Sequence, residues 1–155
     1  MADLDPNSAS RFSASLFCKH MIELINFAVY KYDLSIEELA IIALVFSEST
    51  RPMRENPELA RQFGLESKGL PDELRPTVQL KFVHETLGLS RETARRKLER
   101  LVERGFLDRR ENRYLFANPE PGNDFTRDLR LYLQSQLRAI LSEADQLEKL
   151  AASVQ

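Results

Sequence analysis

The 155-residue chain contains a single cysteine, Cys18, and only two histidines, His20 and His84. One cysteine excludes a disulfide framework and a zinc site built from several cysteines. Two histidines so far apart in sequence could hold a metal only with help from carboxylates. The longest apolar run, residues 39–46, falls well short of the roughly 18 residues that a membrane-spanning helix needs. We therefore expect no cofactor, no metal and no membrane contact.

An export signal is also missing, because Asp3 and Asp5 stand where a secretory signal peptide would carry Lys or Arg. The sequence therefore predicts a cytoplasmic protein.

Its 43% apolar and 30% charged residues are ordinary for a folded domain and exclude wholesale disorder. A chain of this length is the usual size of one domain and can bury a core without covalent staples.

The charges are distributed unevenly along the chain. Residues 75–113 carry 11 Lys or Arg against 6 Asp or Glu, a net charge of +5. The remaining residues carry 11 against 18, a net charge of −7. A basic segment within an acidic chain favours a surface that binds a polyanion. The alternative is that these charges belong to ordinary solvated faces of helices and a hairpin.

The N-terminal segment, residues 13–76, is predicted to be helical, after a mobile tail at residues 1–12 that lacks a periodic pattern. Between residues 13 and 32, apolar side chains cover nearly every side of the first helix. Such a helix must be covered by its own domain or by a partner chain. Cys18 lies in this helix and is expected to be a small core residue.

Two further helices are predicted before the basic segment. Ser35 and Glu38 form a capping box at the start of a helix that ends near Ser49. Asn56, which proline follows, predicts the start of a short helix that Gly64 stops. The first half of the chain is thus predicted to be helical.

Residues 77–118 contain the most informative pattern. A short helix ends at Gly88, and Ser90 is a good N-cap for a second helix at about residues 90–104. Two short strand patterns then flank a two-residue turn at 111–112. A helix, a turn, a second helix and a basic hairpin in this order predict a winged helix-turn-helix.

A helical wheel divides the second of these helices into a core face and an exposed face. Ala94, Leu98, Leu101 and Val102 lie together on the core side. The N-terminal half of the exposed side is rich in arginine, and this is the half that such a helix inserts into the major groove of DNA. Arginine pairs with two acceptors of guanine, glutamate accepts from the cytosine amino group, and small hydroxyls suit phosphate oxygens. The predicted DNA-binding residues of this helix are Ser90, Arg91, Glu92, Thr93, Arg95, Arg96 and Arg100.

The predicted hairpin supplies three more cations near its tip, Arg109, Arg110 and Arg113. These arginines could contact backbone phosphates or the minor groove. The alternative is a charged edge that prevents strand-to-strand aggregation. Their position beside a recognition helix favours the DNA contact.

The stretch G-L-S-R-E-T-A-R-R-K-L-E-R-L, followed by G-F-L, resembles the recognition-helix region of Crp/Fnr-type bacterial regulators. This resemblance implies base contacts by Arg91, Glu92 and Arg96, with Arg95 as a competitor of Arg96. The same stretch is similar to GntR-type domains, which would place Arg91, Thr93 and Arg95 at the DNA. The resemblance covers about 40 of the 155 residues.

The order of the elements resembles a third family instead. Helices first, then a winged helix, then one long helix is the layout of MarR-type regulators, which dimerise through their terminal helices. Residues 33–44 resemble the second helix of that family, and Asp108-Arg109-Arg110 resembles the start of its wing. A Crp-type protein would begin with a β-roll for a cyclic nucleotide, and a GntR-type protein would begin with the winged helix. Residues 48–77 form a longer segment than the MarR-type layout provides.

The C-terminal segment, residues 119–155, is predicted to form one long helix from about Asn123 to Ala151. Apolar residues spaced alternately by four and three form a seam for another helix. The seam consists of Leu133, Leu137, Ile140, Ala144, Leu147 and Ala151. It could close on the first helix of the same chain or on a partner chain. A helix of this length, roughly 43 Å, exceeds what its own core needs, which favours a homodimer.

These patterns predict a bacterial transcription regulator of mainly α class, a winged helix-turn-helix with a small β-hairpin wing between N- and C-terminal dimerisation helices. We expect a homodimer that binds an inverted-repeat operator in double-stranded DNA, and hence a nucleoid-associated protein. The alternative is a protein–protein adaptor in chromosome maintenance or replication, whose recognition face should be poor in arginine. No phosphate loop, nucleophile elbow or paired His/carboxylate motif indicates an enzyme. The sequence names no small-molecule effector.

Overall fold

The computed structural model describes residues 6–65, 69–118 and 125–153. These residues form a mainly helical chain with one small antiparallel sheet, so the prediction of a helical fold with a hairpin is confirmed. In chain order the elements are α1 (Pro6–Asn26), a π-helical turn (Phe27–Lys31), α2 (Ile36–Ser49), α3 (Arg51–Glu55), α4 (Pro57–Phe63), a 3₁₀ turn (Asp72–Leu74), β1 (Val78–Gln79), α5 (Leu80–Leu87), α6 (Arg91–Glu103), β2 (Leu107–Arg110), β3 (Arg113–Phe116) and α7 (Phe125–Ser153).

The chain divides into two compact units. The first contains Met1–Leu34 and Asp128–Gln155, and therefore α1, the π-helical turn and nearly all of α7. The second contains Ser35–Arg127, and therefore α2 to α6 and the sheet. Within the described ranges, neither unit has a helix both long and apolar enough to cross a bilayer.

α1 begins earlier than the sequence pattern indicates. The predicted tail at residues 1–12 is wrong for residues 6–12, which are helical, and its first five residues lie outside the described part of the chain. The predicted start of the last helix at Asn123 also lies outside the described residues.

α1, its π-helical continuation and α7 pack against each other through aromatic and polar contacts. The rings of Phe27 and Tyr132 stack with 3.6 Å between centroids. The Tyr132 hydroxyl donates to the backbone carbonyl of Glu23 at 3.0 Å. His20 is buried, with Nδ1 2.6 Å from Gln136 Oε1. The last helix therefore packs on the first helix of the same chain.

This pairing leaves much of both helices exposed. Cys18, expected in the core, is exposed because it lies on the solvent side of α1. Eight large apolar side chains of α1 and α7 are also between 42% and 64% exposed. They are Phe12, Phe17, Met21, Ile22, Leu131, Leu137, Leu141 and Leu150. These apolar side chains of the first unit therefore remain in contact with solvent.

In the second unit, α2 begins with the predicted capping box. The Glu38 N–H donates to Ser35 Oγ at 3.1 Å, and the Ser35 N–H donates to Glu38 Oε2 at 2.9 Å. α4 begins as predicted after Asn56, whose side chain accepts from the Glu58 N–H, and it ends before Gly64. α3 and the 3₁₀ turn were not predicted, because segments this short show no periodicity.

The predicted turn residues take the conformations that end and begin helices. Gly88 ends α5 at φ +66° and Gly105 follows α6 at φ +80°, in the left-handed region that glycine enters without steric cost. Ser90 caps α6 by accepting from the Thr93 N–H at 3.1 Å. This geometry fixes where α6 starts relative to α5.

The sheet has the order β1-β3-β2. β2 and β3 form the predicted hairpin, with Arg110 opposite Arg113 across the two-residue turn. β1 was not predicted, because two residues cannot show the alternation of a strand. α2 packs against β3, α5 and α6. Of the predicted core residues, Ala94, Leu98 and Leu101 are buried and Val102 is half-buried. The opposite face of α6 is therefore left to solvent.

Candidate functional site

The exposed face of α6 carries two arginines whose side chains are open to solvent. Arg91 and Arg96, both in the first half of the helix, are exposed. Within residues 6–65, 69–118 and 125–153, neither forms an ion pair or a side-chain hydrogen bond. Two guanidinium groups therefore project into water from the half of the helix that the sequence predicts to contact DNA.

Arg95 lies between two carboxylates of its own helix. Its Nε and Nη2 donate to the two oxygens of Glu92 at 3.0 and 2.6 Å, and its Nη1 donates to Glu99 at 2.7 Å. The hydrogen bonds from Arg95 hold the pKa of Glu92 below its ordinary value, and those to Glu92 and Glu99 raise the pKa of Arg95. The charge of Arg95 is thus compensated, and the Glu92 carboxylate is held in one orientation.

The small residues at the start of α6 are engaged with each other. Besides accepting from the Thr93 N–H, the Ser90 hydroxyl lies 2.8 Å from Thr93 Oγ1, to which it donates. The predicted contacts with DNA phosphates would have to use the hydrogen-bonding capacity that these two hydroxyls have left. Their first role is to begin the helix.

Arg100 is directed toward the protein rather than toward solvent alone. Its Nη1 donates to Oε1 of Glu38, a carboxylate of α2 that is 1% exposed. Lys97, nearly one turn earlier, lies 3.1 Å from Glu37 and donates to Ser35 Oγ. The helical wheel predicted a DNA contact for Arg100. It could not show the contact with Glu38, because that residue lies 62 positions away in the sequence. Arg100 and Lys97 therefore join α6 to the start of α2, which counts against a DNA role for Arg100.

The contact with Arg100 helps to lower the pKa of Glu38. Burial raises the pKa of Glu38, but the Ser35 backbone N–H and the Arg100 guanidinium outweigh burial and leave it below the ordinary value of 4.5. A carboxyl group whose pKa is lowered by folding stabilises the fold above its unfolded pKa. That contribution is lost as the pH falls through the lower, folded value.

Replacing Glu38 with Gln is expected to lower the free energy of unfolding at pH 7 by about 2 kcal/mol, because Arg100 loses a charged hydrogen-bond partner. Below pH 4.5, the ordinary pKa of this group, the difference from wild type should shrink toward zero. Urea unfolding of both proteins over a series of pH values measures it. A difference that stays constant down to acid pH would show that the Glu38 charge does not stabilise the fold.

Two of the three hairpin arginines are tied to the loop that precedes the sheet. Arg110 lies 2.7 Å from Asp72, and its hydrogen bond is the main reason that the pKa of Asp72 is below its ordinary value. Arg113 donates from Nε to the Thr77 hydroxyl and from Nη2 to the Thr77 carbonyl. Both side chains remain exposed at the sheet surface, but a DNA contact would compete with these partners.

The third hairpin arginine belongs to a cleft of about 370 Å³ between the start of α5, the first half of α6 and the hairpin. Lys81, Arg91, Arg95 and Arg109 line it, together with one carboxylate, that of Glu99. The structure therefore brings cations from three elements to one place. Of the arginines predicted from sequence, those at 91, 95 and 109 meet here, and Arg96 follows Arg95 on the exposed side of α6.

Sequence reasoning missed Lys81. It is exposed at the second position of α5, and it forms no ion pair or side-chain hydrogen bond within the described residues. Its position inside the basic segment was a usable signal. The sequence did not show that the hairpin lies next to the start of α5. That contact depends on the pairing of β1 with β3, and β1 has only two residues.

Comparison with protein-family models, with curated proteins and with solved structures gave no match to this chain. In the part of the chain that the structure describes, no group of three or more His, Cys, Asp or Glu side chains is placed to hold a metal ion. The contacts and charges of the second unit are therefore the observations from which a function can be inferred.

Proposed function

We propose that the chain is a winged helix-turn-helix protein that binds double-stranded DNA of specific sequence, as a bacterial transcription regulator acting as a homodimer. One observation carries the proposal. Arg91 and Arg96 lie exposed in the first half of α6, where neither makes an ion pair or a side-chain hydrogen bond among the described residues, although the charge of Arg96 helps to lower the pKa of Glu92.

Two exposed arginines of the neighbouring helices α3 and α4 do find partners. Arg51 pairs with Glu48 and Glu55, and Arg61 pairs with Glu58. The chain has more acidic than basic residues, so partners are plentiful. Cations left unpaired on one helix face favour an external polyanion as their partner.

The first half of α6 has the chemistry for reading base edges. The major groove admits one α-helix, and an arginine there pairs with O6 and N7 of guanine, a role that suits Arg96. Glu92, held by Arg95, offers acceptors to a cytosine amino group while its charge is compensated. Arg109 of the hairpin lines the cleft beside α6, which supports a role for the hairpin as a wing.

The homodimer is supported by the exposed apolar residues of α1 and α7. Within one chain these helices leave Phe17, Met21, Leu137 and Leu141 between 45% and 61% exposed. A second copy of the same two helices would cover them. A two-fold dimer reads an inverted repeat whose half-sites lie about 34 Å apart or a multiple of that distance.

Removing both unpaired arginines tests the proposal. The double variant Arg91→Ala/Arg96→Ala is expected to bind a mixed-sequence duplex of about 30 base pairs, three helical turns, at least tenfold more weakly at low salt. The slope of log K against log salt should become shallower by about 1, because a base-reading Arg96 neutralises no phosphate and only the loss of Arg91 removes a phosphate contact. Fluorescence anisotropy titrations over a salt series measure both quantities.

The matched control is Arg51→Ala/Arg61→Ala, which removes the same charge from α3 and α4. It should keep the wild-type slope and most of the affinity. Equal losses of DNA affinity in the two double variants would show that the loss follows from net charge alone and not from the position of Arg91 and Arg96. A wild-type protein without affinity for duplex DNA would overturn the proposal and favour the protein–protein adaptor.

A further inference from the structure

The cleft between α5, α6 and the hairpin has a cation on each side. Lys81 stands on α5, Arg91 at the start of α6 and Arg109 on β2, and all three line the cleft. None of the three forms an ion pair with a carboxylate in the described residues. Arg95 lines it too, but two glutamates of its own helix compensate its charge. The cleft therefore keeps an excess of positive charge.

Arg109 is held in place from within its own hairpin. Its Nε donates to the backbone carbonyl of Glu111 at 2.8 Å, and its guanidinium lies 6.0 Å from the centre of the Tyr114 ring. Both contacts leave the Nη groups available as donors. A guanidinium fixed in this way loses little conformational freedom when it binds an anion.

The arrangement fits a phosphate better than a planar anion. Three cations on three separate elements surround the cleft, so they can approach tetrahedrally arranged oxygens from different sides. The side-chain amides of Gln79 and Asn112 also line the cleft and can donate to ester or sugar oxygens. A volume of about 370 Å³ holds a phosphate together with parts of the sugars on either side of it.

We propose that this cleft binds one phosphodiester of the DNA backbone, with Lys81, Arg91 and Arg109 around it. The inference rests on the proposed function, because the same duplex would lie with its bases against Arg96 and Glu92. It assigns Arg91 to the backbone rather than to a base, and it adds Lys81 to the DNA-binding residues. A free phosphoryl compound offers the same chemistry, but the exposed first half of α6 beside the cleft favours the polymer.

Lys81→Ala in the full chain tests the inference. With a mixed-sequence duplex of about 30 base pairs, the variant should bind about three- to tenfold more weakly at low salt, and its salt slope should be shallower by about 0.9. Lys149→Ala is the control, because Lys149 is an exposed lysine of α7 that pairs with Asp145. It should change neither quantity. Thermal unfolding should match wild type in both variants, since both side chains are exposed.

The same proteins are titrated with inorganic phosphate and with adenosine monophosphate by calorimetry. Weak or undetectable binding of both compounds is the expected result. Binding of either compound that depends on Lys81, without an effect of Lys81→Ala on the duplex, would assign the cleft to a free phosphoryl ligand and overturn the inference. Wild-type affinity and slope in Lys81→Ala would also overturn it and leave the proposed function standing. If the wild-type protein does not bind the duplex, both the inference about the cleft and the proposed function are overturned.

Discussion

Replacing Leu137 with Asp is expected to separate the proposed dimer into monomers and to weaken binding to a duplex with two half-sites by about 100-fold or more. Leu137 lies on α7 and is 57% exposed within the chain. An aspartate there costs little free energy in a single protomer, but in a dimer it would bury a charge against apolar side chains. Each monomer would then hold one half-site and lose the gain in effective concentration that links the two.

Ser142→Asp is the matched control for this variant. Ser142 is also exposed on α7, but five residues of helix place it about 140° around the axis from Leu137. The same new charge should therefore leave the dimer and its DNA affinity unchanged. Sedimentation velocity at micromolar concentration measures the assembly. A wild-type monomer, or a Leu137→Asp protein that remains a dimer, would refute the proposed interface.

Arg96→Ala is expected to cost about 1–3 kcal/mol in binding to a preferred DNA site and to relax the base preference at one position, with no change in thermal stability. The expectation follows from the exposed, unpaired position of Arg96. Arg100, one turn later on the same helix, donates instead to buried Glu38. Arg100→Ala should therefore lower the melting temperature and leave the affinity of the folded protein nearly unchanged.

Titrations of both variants against preferred and scrambled duplexes, with melting curves alongside, separate the two roles. Equal losses on both duplexes for Arg96→Ala would assign it to the backbone. A larger loss of DNA affinity in Arg100→Ala than in Arg96→Ala would reverse the roles given to the two residues.

Local patterns were sufficient for the elements around the site. Ser35 with Glu38, Asn56, Gly88 and Ser90 each act at a helix end through contacts with residues two to five positions away, so the sequence displays them directly. The core face of α6 follows in the same way from its period. The hairpin was predictable because its strands flank a two-residue turn.

Contacts between distant residues were not predictable in this way. Arg100 has the sequence context of a DNA contact, but Glu38 reaches it from 62 residues away. Arg110 similarly pairs with Asp72 across 38 residues. Lys81 joins the cleft only because β1 pairs with β3. Composition and wheel positions identify a basic face, whereas tertiary packing decides which of its cations remain unpaired.

Selection of duplexes from a random DNA pool by the wild-type protein tests the central claim most directly. Two copies of α6 related by a two-fold axis should enrich one motif with inverted halves, spaced by about one helical turn or a multiple of it. Guanine positions within each half should lose their enrichment when the selection is repeated with Arg96→Ala. A wild-type pool that shows no enrichment over the starting library would contradict sequence-specific DNA binding by this chain.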